Sequence, residues 1–336
     1  MDFKNYLVPG KTGLLIGIGG VSMSPLAEVL HDAGLDIRGS DMAESSNTLT
    51  LRERGIPIHI GHSADNVTDD ISFVIRTAAV HDDNPEVHEA HRRGIPVFER
   101  TQAWGALMRG YQNALCISGT HGKTTTTSMC THIMMAAEKD PTVMIGGTLP
   151  LLKACHRVGK GNTIIMESCE YYNSFLALNP TIAVVLNIEA DHLDFFKDLE
   201  DIKHSFRCFA ERVPAETGTV IANYDDANTM DALRGIARKV ITFGLNAKAD
   251  VYAQNIVHRG SVSEFDIYHR GNYFARVTLH VPGIHNVRNA LAATAAAIVL
   301  GVSPNAVKYG LAGFEGAGRR FDFKGKFQGA DLYDDY

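Results

Sequence analysis

The sequence predicts an α/β protein with two parallel-sheet domains and an antiparallel meander at one edge of the second sheet. The first observation is a regular alternation of strand-like and helix-like segments, which is typical of parallel sheets covered by helices on both faces. The second is that this alternation restarts near Tyr111 with a new strand and a new glycine-rich turn. The third is a change of pattern over residues 249–281, where apolar and polar residues alternate between glycine turns, as in antiparallel strands.

The first domain, residues 1–111, begins with a strand that runs into a glycine-rich turn. A helix with proline in its first turn follows, and strands and helices then alternate. In chain order, the predicted strands are GLLIGI, DIRGSD, ISFVIRT and IPVFE, and the predicted helices are SPLAEVLHDAG, NPEVHEAHRRG and RTQAWGALMRG.

The second domain, residues 112–323, repeats this organisation on a larger scale. Its predicted strands are NALCIS, NTIIMES, TIAVVLNI, GTVIANYDD and KVITFGL, followed by the meander DVYAQNIVH, VSEFDIYHR and YFARVTLHV. Its predicted helices are KTTTTSMCTHIMMAAE, DLEDIKHSFRCFAERV, HNVRNALAATAAAIVLG and SPNAVKYGLAGF. Residues 324–336 begin another strand-like run, which predicts the start of a further domain.

The composition limits the class of protein. The chain has 336 residues, 45% of them hydrophobic and 21% charged, which is ordinary for a globular protein. A formal net charge of −6 offers no basic footprint, so we expect no nucleic-acid partner. The sequence has neither a signal peptide nor an apolar run long enough for a membrane span, so we expect no membrane insertion. Five scattered cysteines without C-x-x-C spacing favour a reducing cytoplasm over a disulfide framework or a zinc site. The oligomeric state stays open.

The segment SGTHGKTTTTSM, residues 118–129, follows an apolar strand and opens a predicted helix. Glycines in such a turn let backbone N–H groups close on phosphate oxygens, Lys123 would reach the β- and γ-phosphates, and the Thr124 hydroxyl would bind Mg²⁺. The full pattern G-x-x-x-x-G-K-[ST] is incomplete, because Ile117 stands where the first glycine belongs. The alternative is a plain glycine turn before a threonine-rich helix. The strand–turn–helix context favours a nucleotide site.

Acidic residues and a histidine follow two further strands. Glu167 ends NTIIMES, and Glu189, Asp191 and His192 follow TIAVVLNI. Because open α/β sheets bind ligands at the carboxyl ends of their strands, these residues should converge on the phosphate loop. A carboxylate and a neutral imidazole beside triphosphate oxygens suit Mg²⁺ or Mn²⁺. Singly, Glu167 could equally serve a helix start and His192 a turn, but together with the loop they favour a metal site.

Two asparagines open the predicted helix HNVRNALAATAAAIVLG. Asn289 lies one turn after Asn286 on the same helix face. An exposed amide there could read an adenine edge. From the residues alone, ordinary capping of the helix by asparagine is the favoured interpretation.

The N-terminal turn GIGGVSMS invites comparison with a dinucleotide-binding fingerprint. Gly17 and Gly19 fit G-x-G, and Asp41 follows the second strand, where a ribose-binding acid would lie. Ser22 stands at the third glycine position, so a dehydrogenase is weakly supported. A turn that receives some other diphosphate fits the same helix-start physics.

Six segments of the chain are GIGGVSMSPLAEVL, SGTHGKTTTTSM, ESCEYYNSFL, NIEADHLD, VPGIHNVRNALAA and GAGRRFDFKG. In this order they resemble the Mur ligases over essentially the whole chain, and GTHGKTTTT with NIEADHLD is similar to the alanine-adding branch. The resemblance implies a Rossmann-like N-terminal domain that binds a UDP-sugar and a central P-loop ATPase-type domain. It also implies a C-terminal domain that binds the amino acid. Residues 324–336 would only begin that domain, which predicts a truncated chain.

The resemblance implies an ATP-dependent, amide-forming ligase whose substrates are UDP-N-acetylmuramate and L-alanine. The lactyl carboxylate of the sugar would take the γ-phosphoryl group of ATP, and the amine of alanine would then displace phosphate from the acyl phosphate. Lys123, Glu167 and His192 would be catalytic. Thr124, Glu167 and His192 would hold Mg²⁺ or Mn²⁺.

By the same resemblance, two sets of residues contact the ligands. ATP would meet Gly119, Thr120, His121, Gly122, Lys123, Thr124, Thr125, Asn286, Asn289 and Arg319. The UDP-sugar would meet Gly17, Gly19, Gly20, Ser22, Ser24, Asp41 and Thr77.

Two other functions remain open at this stage. One is a related ligase that joins a peptide to the same sugar during wall recycling. The other is a non-catalytic module that binds the nucleotide or the UDP-sugar. Since a missing domain would cost orientation and water exclusion, we expect little ligase activity from residues 1–336 alone.

Overall fold

The computed structural model describes residues 2–77, 79–318 and 322–334. The chain divides into two compact units, Met1–Gly110 and Tyr111–Tyr336. None of the helices in the described parts of the chain has both the length and the apolar character needed to span a membrane.

The first unit contains a five-stranded sheet in which every pairing is parallel. Its strands are β1 Thr12–Ile16, β2 Asp36–Asp41, β3 Ile58–Ile60, β4 Ile71–Arg76 and β5 Val97–Glu99, in the order β3-β2-β1-β4-β5. Its helices are α1 Ser24–Asp32, α2 Ser46–Glu53, α3 Pro85–Arg92 and α4 Arg100–Met108. The central strand β1 is buried along its whole length, as a strand covered on both faces requires.

The second unit contains a ten-stranded mixed sheet. Its strands are β6 Asn113–Ser118, β7 Thr142–Leu149, β8 Ala154–Arg157, β9 Thr163–Glu167, β10 Ile182–Val185, β11 Thr219–Asn223, β12 Lys239–Gly244, β13 Val251–Arg259, β14 Val262–His269 and β15 Asn272–Leu279. The order is β15-β14-β13-β12-β11-β10-β6-β9-β7-β8. β13, β14 and β15 pair antiparallel at one edge, as predicted, so the predicted fold class is confirmed.

Five α-helices of this unit lie within its described residues: α5 Lys123–Ala136, α6 Leu199–Glu211, α7 Ala227–Ala232, α8 Ile284–Val299 and α9 Pro304–Ala312. α5 packs against α8 and α9, and α8 packs against β11, β12 and β13. β16 Asp322–Phe327 and β17 Ala330–Asp334 form a separate antiparallel pair. The core includes fully buried residues of the parallel strands, such as Ile117, Val184 and Ile221.

The strand order positions the site. β6 lies between β10 and β9, and all three run parallel, so the loops that follow them emerge side by side. Ser118 pairs with Val185 and Ile117 with Glu167, so the three strands end at the same level. In the first unit β1 lies between β2 and β4 in the same manner.

Candidate active site

The loop of residues 119–122 is shaped by its glycines. Gly122 has a left-handed backbone with φ 84°, and a Cβ there would lie 2.7 Å from Oδ1 of Asn289. Only glycine fits such a position without strain. α5 then starts at Lys123 with no side chain capping its first turn, so its N–H groups are open to an anion.

The neighbouring loop holds the phosphate loop in shape. Asn187, which follows β10, accepts a hydrogen bond from the His121 N–H at 2.7 Å and donates one to the His121 carbonyl at 3.1 Å. Its own carbonyl accepts from the Thr120 N–H at 3.1 Å. The Thr120 hydroxyl accepts from the Glu189 N–H at 2.9 Å. The loop is therefore fixed by the strand end beside it.

The Lys123 ammonium is turned back into its own loop. Its Nζ donates to the Gly119 carbonyl at 2.6 Å and lies 3.2 Å from the Thr120 carbonyl. It also lies 3.1 and 3.0 Å from the two carboxylate oxygens of Glu170. Both side chains of this ion pair are largely buried.

Thr124 and Glu167, two of the predicted metal ligands, are in contact. The Thr124 hydroxyl donates to Oε1 of Glu167 at 3.0 Å, and the Gly146 N–H donates to Oε2 at 2.6 Å. Thr125, the next predicted contact, is partly buried in the first turn of α5. A hydroxyl and a carboxylate therefore face each other beside the phosphate loop.

His192 lies in the loop after β10 with a left-handed backbone, φ 53°. Its ring stacks on Tyr171 with 4.3 Å between centroids, and its Nε2 lies 3.9 Å from Oδ2 of Asp191. These contacts are with Tyr171 and Asp191 and not with Thr124 or Glu167, so the role of His192 as a metal ligand stays a prediction. Among the described residues, no group of three or more His, Cys, Asp and Glu is arranged to hold a metal ion.

The asparagines of α8 lie beside the phosphate loop. Asn289 donates to Oδ1 of Asn286 at 3.2 Å, and Asn286 donates to the Pro282 carbonyl at 2.6 Å. No side chain caps the start of α8 at Gly283, so the capping role favoured from the residues alone is not what the structure shows. Arg319, the remaining predicted ATP contact, lies outside the described residues.

A cavity of about 400 Å³ adjoins the loop. Its lining includes His121, Gly122, Asn187, Asn223, Asp225, Phe243, His285, Arg288 and Asn289. Asp225 accepts from the Leu245 N–H at 2.6 Å, which fixes the rim between β12 and β13. The Nε of Arg288 is buried without a hydrogen-bond partner in the described structure and lies 3.9 Å from Asp225. A volume of about 400 Å³ lies within the range of small-molecule sites.

Sequence reasoning missed Glu170, Asn187, Asp225 and Arg288. Glu170 and Asn187 stand at the ends of the same strands as Glu167 and His192, and that placement was the available signal. Nothing in the sequence marks which polar side chain after a strand turns toward the loop.

The first unit brings most of its predicted contacts together around residues 17–24. The Gly19 N–H donates to Oδ2 of Asp41 at 2.8 Å. A Cβ on Gly17 would lie 2.5 Å from Cγ2 of Thr77, so that side chain lies against the turn. Gly20 donates to the Gly17 carbonyl at 3.1 Å, which tightens the turn.

The end of the same turn meets α4. Ser24 is buried at the first position of α1. The hydroxyl of Ser22 accepts a hydrogen bond from the guanidinium of Arg100, and its carbonyl accepts from Trp104 Nε1 at 3.3 Å. Arg100 was not among the predicted residues, because one arginine at a helix start carries no sequence signal.

Two family models match the chain. The model described as Mur ligase middle domain matches residues 117–297, and the model described as Mur ligase family, catalytic domain matches residues 15–112. The chain belongs to the Mur ligase family. Members of this family are ATP-dependent, amide-bond-forming ligases, and so is this chain.

Among curated Mur ligases, the UDP-N-acetylmuramate–L-alanine ligase of Agathobacter rectalis is 46% identical over 322 residues, which cover 96% of this chain and 70% of that protein. The solved UDP-N-acetylmuramate–alanine ligase of Thermotoga maritima is 30% identical, with a TM-score of 0.79 over 97% of this chain and 74% of that one. The solved UDP-N-acetylmuramate:L-alanyl-γ-D-glutamyl-meso-diaminopimelate ligase of Neisseria meningitidis is 26% identical, with a TM-score of 0.82 over 92% of this chain and 100% of that one.

Proposed function

We propose that this Mur ligase joins UDP-N-acetylmuramate to L-alanine at the expense of ATP, in peptidoglycan precursor synthesis. The observation that carries the chemistry is a phosphate loop whose Thr124 contacts a carboxylate, Glu167, with Lys123 beside it. The substrates are proposed from the names of the curated relatives, with 46% identity to the Agathobacter rectalis enzyme. We expect the reaction in the cytoplasm, which supplies ATP.

The proposed reaction begins by activating a poor electrophile. The lactyl carboxylate attacks the γ-phosphorus of ATP, ADP leaves, and the carboxylate becomes an acyl phosphate. The amine of alanine then attacks the carbonyl carbon, inorganic phosphate leaves, and the amine loses a proton. Lys123 acts by placing positive charge beside the transferring phosphoryl group, which is electrostatic stabilisation and not covalent catalysis.

The residues present fit Mg²⁺ bound together with nucleotide. Thr124 and Glu167 offer oxygen donors that already lie 3.0 Å apart. Mg²⁺ is usually held by one or two carboxylates plus phosphate oxygens, so the lack of an all-protein cluster in the described residues is compatible with it. When bound there, the ion would neutralise phosphate charge. His192 is the proposed additional ligand.

The adenosine part of ATP is proposed to occupy the cavity of about 400 Å³ beside Gly122 and Asn289. Asn289 is nearly buried, lines the cavity and approaches Gly122, so a base in the cavity would meet its amide group. Asn286 supports that amide by accepting its hydrogen bond at 3.2 Å.

The diphosphate of the UDP-sugar is proposed to lie on the turn of residues 17–24 in the first unit. α1 begins there without a side-chain cap, and helix N-termini favour anions. Arg100 contributes positive charge at Ser22. Asp41 holds the turn through the Gly19 N–H, and the side chain of Thr77 lies against Gly17.

The wall-recycling alternative is less well supported. Backbone similarity does not separate the two functions, because the TM-scores of 0.79 and 0.82 are close. Sequence identity favours the alanine ligases, which are 46% identical for the Agathobacter rectalis enzyme and 30% for the solved Thermotoga maritima enzyme, against 26% for the solved peptide ligase. The alanine-adding function is therefore preferred.

Calorimetric titration of the 336-residue chain with ATP and with UDP-N-acetylmuramate, separately, tests the assignment of the two sites. Lys123→Ala should abolish ATP binding and leave the UDP-sugar affinity within about twofold, because Lys123 serves only the triphosphate. The matched control is Lys248→Ala, an exposed lysine of the same unit. Equal loss of both ligands in Lys123→Ala would contradict the separation of the sites.

Gly19→Ala is the reciprocal test. A Cβ at Gly19 would lie 2.8 Å from Cγ2 of Thr48 and 3.0 Å from Oδ2 of Asp41, so the turn must open. UDP-sugar affinity should fall at least about tenfold, since the loss of one hydrogen bond to a charged phosphate costs about 1.5–3 kcal/mol. ATP affinity should be unchanged. Loss of ATP binding would contradict the assignment of this turn to the UDP-sugar.

A further inference from the structure

The ammonium group of Lys123 has no donor left for a phosphate. An ammonium carries three N–H donors. In this structure they face the Gly119 carbonyl at 2.6 Å, the Thr120 carbonyl at 3.2 Å and the carboxylate of Glu170 at 3.0 and 3.1 Å. Lys123 must therefore give up a partner before it can bind the phosphates of a nucleotide.

The partner with a charge is Glu170. Its side chain is 3% exposed and that of Lys123 is 14% exposed, so water screens this pair poorly. The carboxylate also stands close to the expected phosphates and repels them. Both effects oppose nucleotide binding, since an ammonium neutralised by a carboxylate attracts an anion less than a free one.

We propose that Glu170 is a positioning residue that holds Lys123 inside the empty loop and makes the triphosphate compete for it. The proposal rests on the proposed function, because it needs Lys123 to bind ATP. Nucleotide entry then exchanges one anionic partner of Lys123 for another. Only molecules in which Lys123 is free bind the triphosphate at full affinity. The apparent ATP affinity is therefore the intrinsic affinity multiplied by the fraction of molecules in which Lys123 is free.

The proposal predicts a gain of affinity when the charge is removed. Glu170→Gln keeps the shape and one acceptor oxygen for Lys123, but removes the negative charge. ATP should bind about tenfold more tightly to this variant, since freeing Lys123 in most molecules instead of about one in ten has that effect. General damage to the loop would weaken binding, so a gain separates the proposed role from a structural one.

The experiment is calorimetric titration of wild type and Glu170→Gln with ATP, ADP and AMP, with and without Mg²⁺. ATP and ADP should bind more tightly to the variant and AMP should not, because Lys123 is directed at the β- and γ-phosphates. The control is Glu216→Gln. It removes one charge from an exposed carboxylate that precedes β11, at the strand ends opposite the phosphate loop.

Two results would overturn the proposal. One is an unchanged or weaker ATP affinity in Glu170→Gln. The other is an equal gain in Glu216→Gln, which would show that the effect comes from the overall charge of the chain. Glu170→Asp, which shortens the side chain and keeps its charge, should fall between wild type and Glu170→Gln and gives a second measurement should the glutamine variant fold poorly.

Failure of the proposed function has a different signature. If the wild-type chain binds no ATP, the nucleotide site itself is wrong. If wild type binds ATP and Lys123→Ala does not, while Glu170→Gln shows no gain, the site stands and only the competition is refuted.

Discussion

At the residue scale, the ion pair of Lys123 and Glu170 should contribute to the stability of the folded chain. Removing Lys123 leaves a carboxylate that is almost fully buried without its cation. Breaking a buried pair from one side typically costs about 3–5 kcal/mol. Lys123→Ala should therefore lower the free energy of unfolding by about 3 kcal/mol, measured by urea denaturation.

The double variant Lys123→Ala/Glu170→Gln checks this explanation. It removes the stranded charge, so it should recover most of the lost stability. Lys197→Ala, at an exposed lysine, serves as the control and should change stability by less than about 0.5 kcal/mol. A double variant no more stable than Lys123→Ala would show that the loss comes from packing.

At the residue scale, the sequence predicts the groups that a motif names and misses those that only geometry selects. Lys123 and Thr124 are fixed by the phosphate-loop pattern, and Glu167 by its place at a strand end. Glu170 stands three residues later in a run with several polar residues, so its contact with Lys123 cannot be read from spacing. The orientation of His192 depends on a left-handed backbone at φ 53°, which local sequence does not predict for histidine.

At the scale of elements, α5 and α9 approach each other through a glycine. A Cβ on Gly310 would lie 2.5 Å from Cα and 2.7 Å from N of Ile133, which are backbone atoms that cannot move aside. Gly310→Ala should destabilise the chain by about 1–3 kcal/mol in urea denaturation, the usual range for overpacking.

Lys308→Ala is the matched control for this contact. It lies on an exposed face of the same helix and should change stability by less than about 0.5 kcal/mol. A Gly310→Ala variant as stable as wild type would mean that α9 can shift away from α5 without cost.

A histidine beside the same pair of helices makes the stability of the chain depend on pH. His132 on α5 packs edge-on against Phe314, and burial lowers the pKa of its imidazole from 6.5 to about 4, while Glu315 acts in the opposite direction. Between pH 6.5 and about pH 4, His132 is protonated in the unfolded chain and neutral in the folded chain. Stability is therefore unaffected above about pH 6.5 and falls as the pH drops toward 4.

His132→Leu removes this titration. From pH 7 to pH 5 the variant should lose about 1 kcal/mol less stability than wild type, allowing for the partial exposure of the ring. His280→Gln, at an exposed histidine, should follow wild type. Parallel pH profiles for wild type and His132→Leu would exclude a titrating role for this ring.

Helices and strands with a clear period were predicted well, and the missed elements have physical causes. α2 has little apolar pattern, and its start is set by a capping box in which the Thr48 N–H donates to the Ser45 hydroxyl at 3.3 Å. β3 is short and largely exposed. β7 contains two adjacent glycines, Gly146 and Gly147, which weaken a strand pattern.

At the scale of the whole molecule, the two compact units should respond to different ligands. Hydrogen exchange with ATP should slow the amides of residues 118–127 and 284–290, because the phosphates and base would lie there. UDP-N-acetylmuramate should slow the amides of residues 17–24. If each ligand protected both sets of amides to the same extent, the assignment of one ligand to each unit would be contradicted.

The alternation of strands and helices predicted the fold class, because it depends only on local hydrophobic patterns. The order of the ten strands could not be predicted in the same way. It places β6 between β10 and β9 and adds β7 and β8 at the far edge, and these pairings are set by contacts between distant segments. The contacts within the site could not be predicted for the same reason, because its residues come together only through that strand order.

The two hydrogen bonds between the Asn187 side chain and the His121 backbone determine which substitutions the loop can accept. Position 121 contributes its backbone N–H and carbonyl, while its side chain is 66% exposed. Position 187 contributes a side chain that must donate and accept at once, which an amide does and a carboxylate or an aliphatic group does not. In a library of single substitutions scored for the stability of the folded chain, nearly every residue except proline should be tolerated at 121, and almost none should replace asparagine at 187.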